Sequence, residues 1–128
     1  MKLEQQVSSL QLSKKLKELG VEQDSLFWWI EGTNGDFSLE AESNFMGQPK
    51  NPVSAFTVAE LGEMLPSVVI KDGTEYNIAF VKHRTGKPFY VTLIKAPVSK
   101  DSLNDIEADT EADARAKMLI YLIKNNLI

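Results

Sequence analysis

The chain has 128 residues, 43% apolar and 25% charged, with fourteen basic against eighteen acidic side chains and a net charge of −4. That length buries about two-thirds of the unfolded surface without a metal or disulfide staple, and the composition excludes a largely disordered or collagen-like chain. The absence of cysteine and the single histidine exclude disulfides, thiol catalysis and cysteine- or multi-histidine-ligated metals.

The first helix is expected over 9–19. Ser8 reads as its N-cap, with Gln11 completing a capping box and Val7 and Leu12 forming a hydrophobic staple. Leu12, Leu16 and Leu19 recur at helical spacing, and Gly20 followed by Val21 predicts a Schellman ending. The aromatic run Leu26-Phe27-Trp28-Trp29-Ile30 predicts a strand. Asn34-Gly35 marks a hairpin turn into Phe37, Leu39 and Ala41, which alternate with polar residues. Residues 43–55, with two prolines, a glycine and two asparagines, read as a loop.

Thr57 and Glu60 form a second capping box with Phe56 and Leu61 as staple, and Pro66 ends that helix. Gly62 inside it suggests close packing against a neighbour. A three-stranded meander follows from Val68 to Ala96, turning at Asp72-Gly73 and again at Arg84-Thr85-Gly86. The acidic stretch 98–109 reads as a mobile connection. Thr110 with Asp113 starts a third helix, apolar around most of its C-terminal half and therefore a buried spine of the core.

The resulting order is α-β-β-α-β-β-β-α. It predicts a single α+β domain over 1–128, in two layers: an antiparallel sheet of about five strands with three helices on one face. In the first strand Leu26, Trp28 and Ile30 are expected to face the helices. That points Phe27 and Trp29 outward beside Glu31. Tyr90, Thr92 and Ile94, with Ala79 or Val81, are expected on the same uncovered face. A loop such as the one holding Phe45 and Met46 is the alternative cover for an outward Trp. Phe27, Trp29 and Tyr90 are thus the protein-binding candidates, since Trp and Tyr are enriched at binding hot spots.

Little in the chain signals catalysis. Dinucleotide-binding and phosphate-loop glycine patterns are absent. A Ser-His-Asp triad would need His83, which sits between Lys82 and Arg84 at a turn, with no wall to exclude water. Glu31, Glu40 and Glu42 alternate as a solvated strand face does, and Asp105 to Glu111 lack the spacing and glycine of a calcium loop. No catalytic residue, metal ligand or cofactor site is expected. Lys82, Arg84 and Lys87 form a basic hairpin tip, and beside sheet aromatics such a tip suits single-stranded nucleic acid. The acidic chain as a whole counts against that partner. The longest apolar runs fall far short of the ~20 residues of a membrane helix, and Met1 to Gln6 lack the apolar core of a secretory signal.

The segments Leu12-Ser13-Lys14-Lys15-Leu16-Lys17-Glu18-Leu19-Gly20, Phe56-Thr57-Val58-Ala59-Glu60-Leu61-Gly62-Glu63-Met64-Leu65-Pro66 and Glu111-Ala112-Asp113-Ala114-Arg115-Ala116-Lys117-Met118-Leu119-Ile120-Tyr121-Leu122 flank the aromatic strand. Together they resemble small uncharacterised proteins encoded in bacteriophage and prophage regions of bacterial genomes. The resemblance covers most of the chain. It implies a cytoplasmic accessory protein and transfers no catalytic residues. The expected partner is an unidentified protein, or a second copy in a homodimer, engaged through the aromatic sheet face. Nucleic acid at 82–87 is the alternative, and no membrane partner is expected.

Overall fold

The computed structural model describes residues 2–45, 47–82, 89–95 and 102–128, with the backbone alone at 90, 95 and 102–105. In chain order the elements are α1 (Leu10–Glu18), β1 (Phe27–Glu31), β2 (Phe37–Ala41), β3 (Val53–Ala55), α2 (Val58–Met64), β4 (Val68–Lys71), β5 (Thr74–Lys82), β6 (Phe89–Lys95), β7 (Ser102–Ala108) and α3 (Glu111–Lys124). This is an α+β fold with the expected order and two added strands. The strands divide into two antiparallel sheets, β2-β1-β3 and β4-β5-β6-β7. No helix among the described residues is long and apolar enough to cross a membrane.

The helix ends follow local chemistry. At the end of α1, Gly20 takes φ +90. The Gly20 amide donates to the Lys17 carbonyl and the Val21 amide to the Leu16 carbonyl, which is the Schellman pairing. For α2, the Thr57 hydroxyl accepts from the Glu60 amide while the Glu60 carboxylate accepts from the Thr57 amide. The Thr110 hydroxyl accepts from the Asp113 amide at the start of α3.

The start of α1 differs from the expected capping box. Ser9 is the N-cap and its side chain makes no cap bond. Ser8, fully buried, is engaged elsewhere. Its hydroxyl accepts from the Phe56 amide at 3.0 Å and lies 2.7 Å from the Ser13 hydroxyl, which donates to the Ser8 carbonyl. The Ser8 amide donates to the Phe56 carbonyl, and the Trp29 indole donates to the Ser8 carbonyl. One serine therefore joins the N-terminal segment, α1, β1 and the approach to α2.

The Asp72-Gly73 turn is the predicted two-residue type. Lys71 pairs with Thr74, and both turn residues have positive φ, as a type I′ turn requires. The turn after β1 is longer than Asn-Gly alone, because Glu31 pairs with Phe37 and leaves five residues, Gly32 to Asp36, between them.

Two strands lie where connections were expected. Val53–Ala55 pairs with β1, inside the predicted loop, and all three of its residues are buried. Ser102–Ala108 pairs with β6, inside the predicted acidic connection. Its backbone register shifts between Thr92, opposite Asp105, and Ile94, opposite Ser102.

The core forms around α3, which contacts α1, α2, β6 and β7. Ala112, Ala114, Ala116, Met118, Leu119 and Leu122 are buried along it, as expected of a spine. They meet Leu16 of α1, Phe56, Leu61 of α2, and Val91 and Leu93 of β6. α1 in turn packs on β3, so helices stand between the two sheets.

Candidate functional site

The facing of β1 is not the one expected. Register places Phe27 opposite Ala41 and Ala55, and Trp29 opposite Leu39 and Val53, so these residues share a face. Phe37 lies on it too, with the Lys14 ammonium of α1 4.4 Å from its ring centroid. With the Trp29 indole bonded to the Ser8 carbonyl, this is the face that the N-terminal segment and α1 cover. Phe27 and Trp29 are half-buried rather than outward. Trp28 lies on the opposite face and is buried there against Phe45, ring centroids 6.3 Å apart and edge-on. The loop cover foreseen for an outward Trp thus exists, over Trp28. Leu26, expected inward, is 66% exposed because it precedes the paired strand.

Tyr90 is in the other sheet, paired through its backbone with Val81 and Glu107. The three protein-binding candidates therefore do not form one aromatic face. The outer face of the four-stranded sheet mixes apolar and polar side chains, with Glu75 and Asn77 on the same parity as its apolar residues. Val69, Val91 and Leu93 are buried toward the helices, while Val68, Ile70 and Val81, of opposite parity, are exposed. Of the basic candidates, Lys82 is exposed at the end of β5. Arg84 and Lys87, like His83, lie outside the described residues.

One cleft brings together a member of each candidate set. It holds about 470 Å³ and is lined by Leu3, Phe27, Val58, Ala59 and Phe89, with Lys82, Asp109 and Glu111 as its charged groups. Thr57 and Thr110, the N-caps of α2 and α3, also line it, with Gln5 and Gln6. Each cap is chemically occupied. Thr57 is bonded within its capping box, Thr110 accepts from Asp113, and the Asp113 carboxylate accepts from the Ser9 amide. The amides at these helix starts are therefore partly satisfied by their own side chains.

Arg115 fixes one side of the cleft. Its guanidinium pairs with Glu111 at 3.2 Å, stacks 4.0 Å from the Phe80 ring centroid, and approaches the Val58 carbonyl at 3.5 Å. Gly62 makes room for it, since a β-carbon there would lie 2.5 Å from the guanidinium. The close packing suggested by Gly62 is packing against Arg115. Away from the cleft, Lys71 donates to the Tyr121 phenol at 3.0 Å, and that bond holds the ammonium above the usual lysine range.

Both threonine caps are legible in the sequence, but their convergence is not. Leu3, Val58, Phe89 and Asp109 come from four separated segments, and no local pattern joins them. Among the described residues no group of three histidine, aspartate or glutamate side chains is placed to hold a metal ion. No protein-family model, curated protein or solved structure matches the chain.

Proposed function

We propose that this chain is a binding protein, an accessory of the phage type that its segments resemble, and that it receives an apolar segment of a partner protein beside Phe27. The cleft carries this reading. Its volume of about 470 Å³ falls within the range of natural ligand sites. Its walls are mainly apolar, and Phe27 and Phe89 contribute half-buried rings of the kind that anchor partner side chains. The charged groups are mixed: Lys82 stands with Asp109 and with Glu111, which is already paired to Arg115. Mixed charge suits a polypeptide and gives no support to a phosphate backbone here, so the peptide reading is preferred to nucleic acid.

The test is selection of a display library of short random peptides on the immobilised protein, followed by Val58→Glu. Val58 is the first residue of α2, where a carboxylate suits the helix dipole, so the variant is expected to fold. Selected peptides should carry aromatic or branched apolar anchors and shift the amide resonances of Leu3, Val58 and Phe89. Val58→Glu should weaken them by about tenfold or more. Val81→Asp, on the outer face of the four-stranded sheet, should not. Failure to enrich any peptide, or binding lost with Val81→Asp and untouched by Val58→Glu, would overturn the reading.

A further inference from the structure

Two grooves of opposite charge flank the C-terminal half of α3. The first lies between α1 and α3, encloses about 580 Å³ and has Leu12 and Ile120 in its lining. Its charged groups are Lys14, Lys15, Lys117 and Lys124 against Glu18 alone. Lys15 is paired with Glu18 at 3.6 Å, Lys14 rests on the Phe37 ring and Lys117 donates to the Glu107 carbonyl, so Lys14, Lys117 and Lys124 keep their positive charge without a carboxylate partner within the groove. This is a positive groove on a chain of net charge −4.

The second groove encloses about 730 Å³ and takes Leu119 and Ile123 of α3 into its lining. Its charged groups are Glu22, Asp24, Glu42, Glu60 and Glu63, with no basic residue among them. It also holds Leu26, whose 66% exposure is among the highest of the large apolar side chains. Apolar lining and charged surroundings recur in both grooves with the sign inverted.

We infer that the acidic groove of one copy of this chain docks against the basic groove of another, with Leu26 entering between Leu12 and Ile120. Charge complementarity selects the occupant. The basic groove calls for a partner with an apolar centre and acidic surroundings, and the chain itself presents one. The contact joins different patches, so it closes a ring or dimer where the rotation allows and otherwise propagates. None of the residues in this contact lines the cleft beside Phe27. The inference therefore stands or falls separately from the proposed function.

The experiment is sedimentation of the full chain over a concentration series, with two charge-reversed variants. One is Lys117→Glu with Lys124→Glu. The other is Glu22→Lys with Glu63→Lys, which spares Glu60 because that carboxylate accepts from the Thr57 and Leu26 amides. The unaltered chain should associate, and raising salt from about 0.05 M to about 0.5 M should weaken association by about tenfold or more. Each variant alone should remain monomeric, with a circular dichroism spectrum like that of the unaltered chain. Mixing the two should restore association, since each retains the groove the other needs. Leu26→Ser, at an exposed site, should weaken association while leaving the fold intact. A chain that stays monomeric at every concentration at low salt overturns the inference. So does self-association that both variants retain. Binding of the basic groove to an oligonucleotide, without self-association, would assign that groove to a different occupant.

Discussion

Ser8 and Ser9 stand side by side with opposite consequences. Removing the Ser8 hydroxyl leaves the buried Phe56 amide without its acceptor and removes the contact with Ser13. A buried donor left unpaired costs roughly 1–3 kcal/mol, and the lost serine pair about 1 more. Ser8→Ala should therefore lower stability by about 2–4 kcal/mol, read from urea unfolding. Ser9→Ala removes no cap bond and should change stability by less than about 0.5 kcal/mol. If Ser8 were only a helix cap, its loss would cost about 1 kcal/mol, so the size of the effect separates the two roles. The same network shows the limit of residue-level reading at β1. Alternation correctly places Phe27 and Trp29 on one face and Trp28 on the other, but period alone does not say which face is covered. Here both are: one by α1 and the Ser8 segment, the other by Phe45.

Elements were legible where their ends carry chemistry of their own. The Thr57 and Thr110 caps, the Gly20 ending and the Asp72-Gly73 turn are all decided within a few residues. β3 and β7 were not, because short or irregular pairing leaves little period to read. β3 has three residues next to Pro52, and the register slip in β7 breaks its alternation. The join between α2 and α3 was half legible, since Gly62 signalled a close neighbour without naming Arg115. Replacing a mid-helix glycine by alanine ordinarily stabilises by roughly 1 kcal/mol. At Gly62 the new methyl would displace the guanidinium from Phe80 and the Val58 carbonyl. Gly62→Ala alone should thus be neutral or destabilising by up to about 1 kcal/mol. In an Arg115→Met background the same change should stabilise by about 1 kcal/mol. Thermal or urea unfolding of the four chains would show a coupling of about 1–2 kcal/mol, and additive effects would rule out the contact.

At the scale of the molecule, strand propensity and tight turns reveal hairpins but not how hairpins assemble. Nothing local tells whether strands on either side of α2 belong to one sheet. The answer is set by β3, which completes the first sheet and leads directly through Phe56 into α2. The two sheets are then joined through α3, which contacts β6 and β7 on one side and α1 and α2 on the other. Its small residues Ala112, Ala114 and Ala116 are fully buried, so α3 approaches its neighbours closely. Ala116 is fully buried, so replacing its methyl with an isobutyl group overpacks the core, which costs roughly 1–3 kcal/mol. Ala116→Leu should lower the unfolding midpoint, and the loss should not stay local. Trp28 and Trp29 report the three-stranded sheet by fluorescence, while far-ultraviolet circular dichroism reports all elements. With α3 coupling the layers, both signals should move together, with coincident midpoints in the original and altered chains. A fluorescence transition that keeps its original midpoint while the circular dichroism transition falls would show that the three-stranded sheet is stable without α3. It would also leave the Ser8 network, rather than the central helix, as what holds that sheet in place.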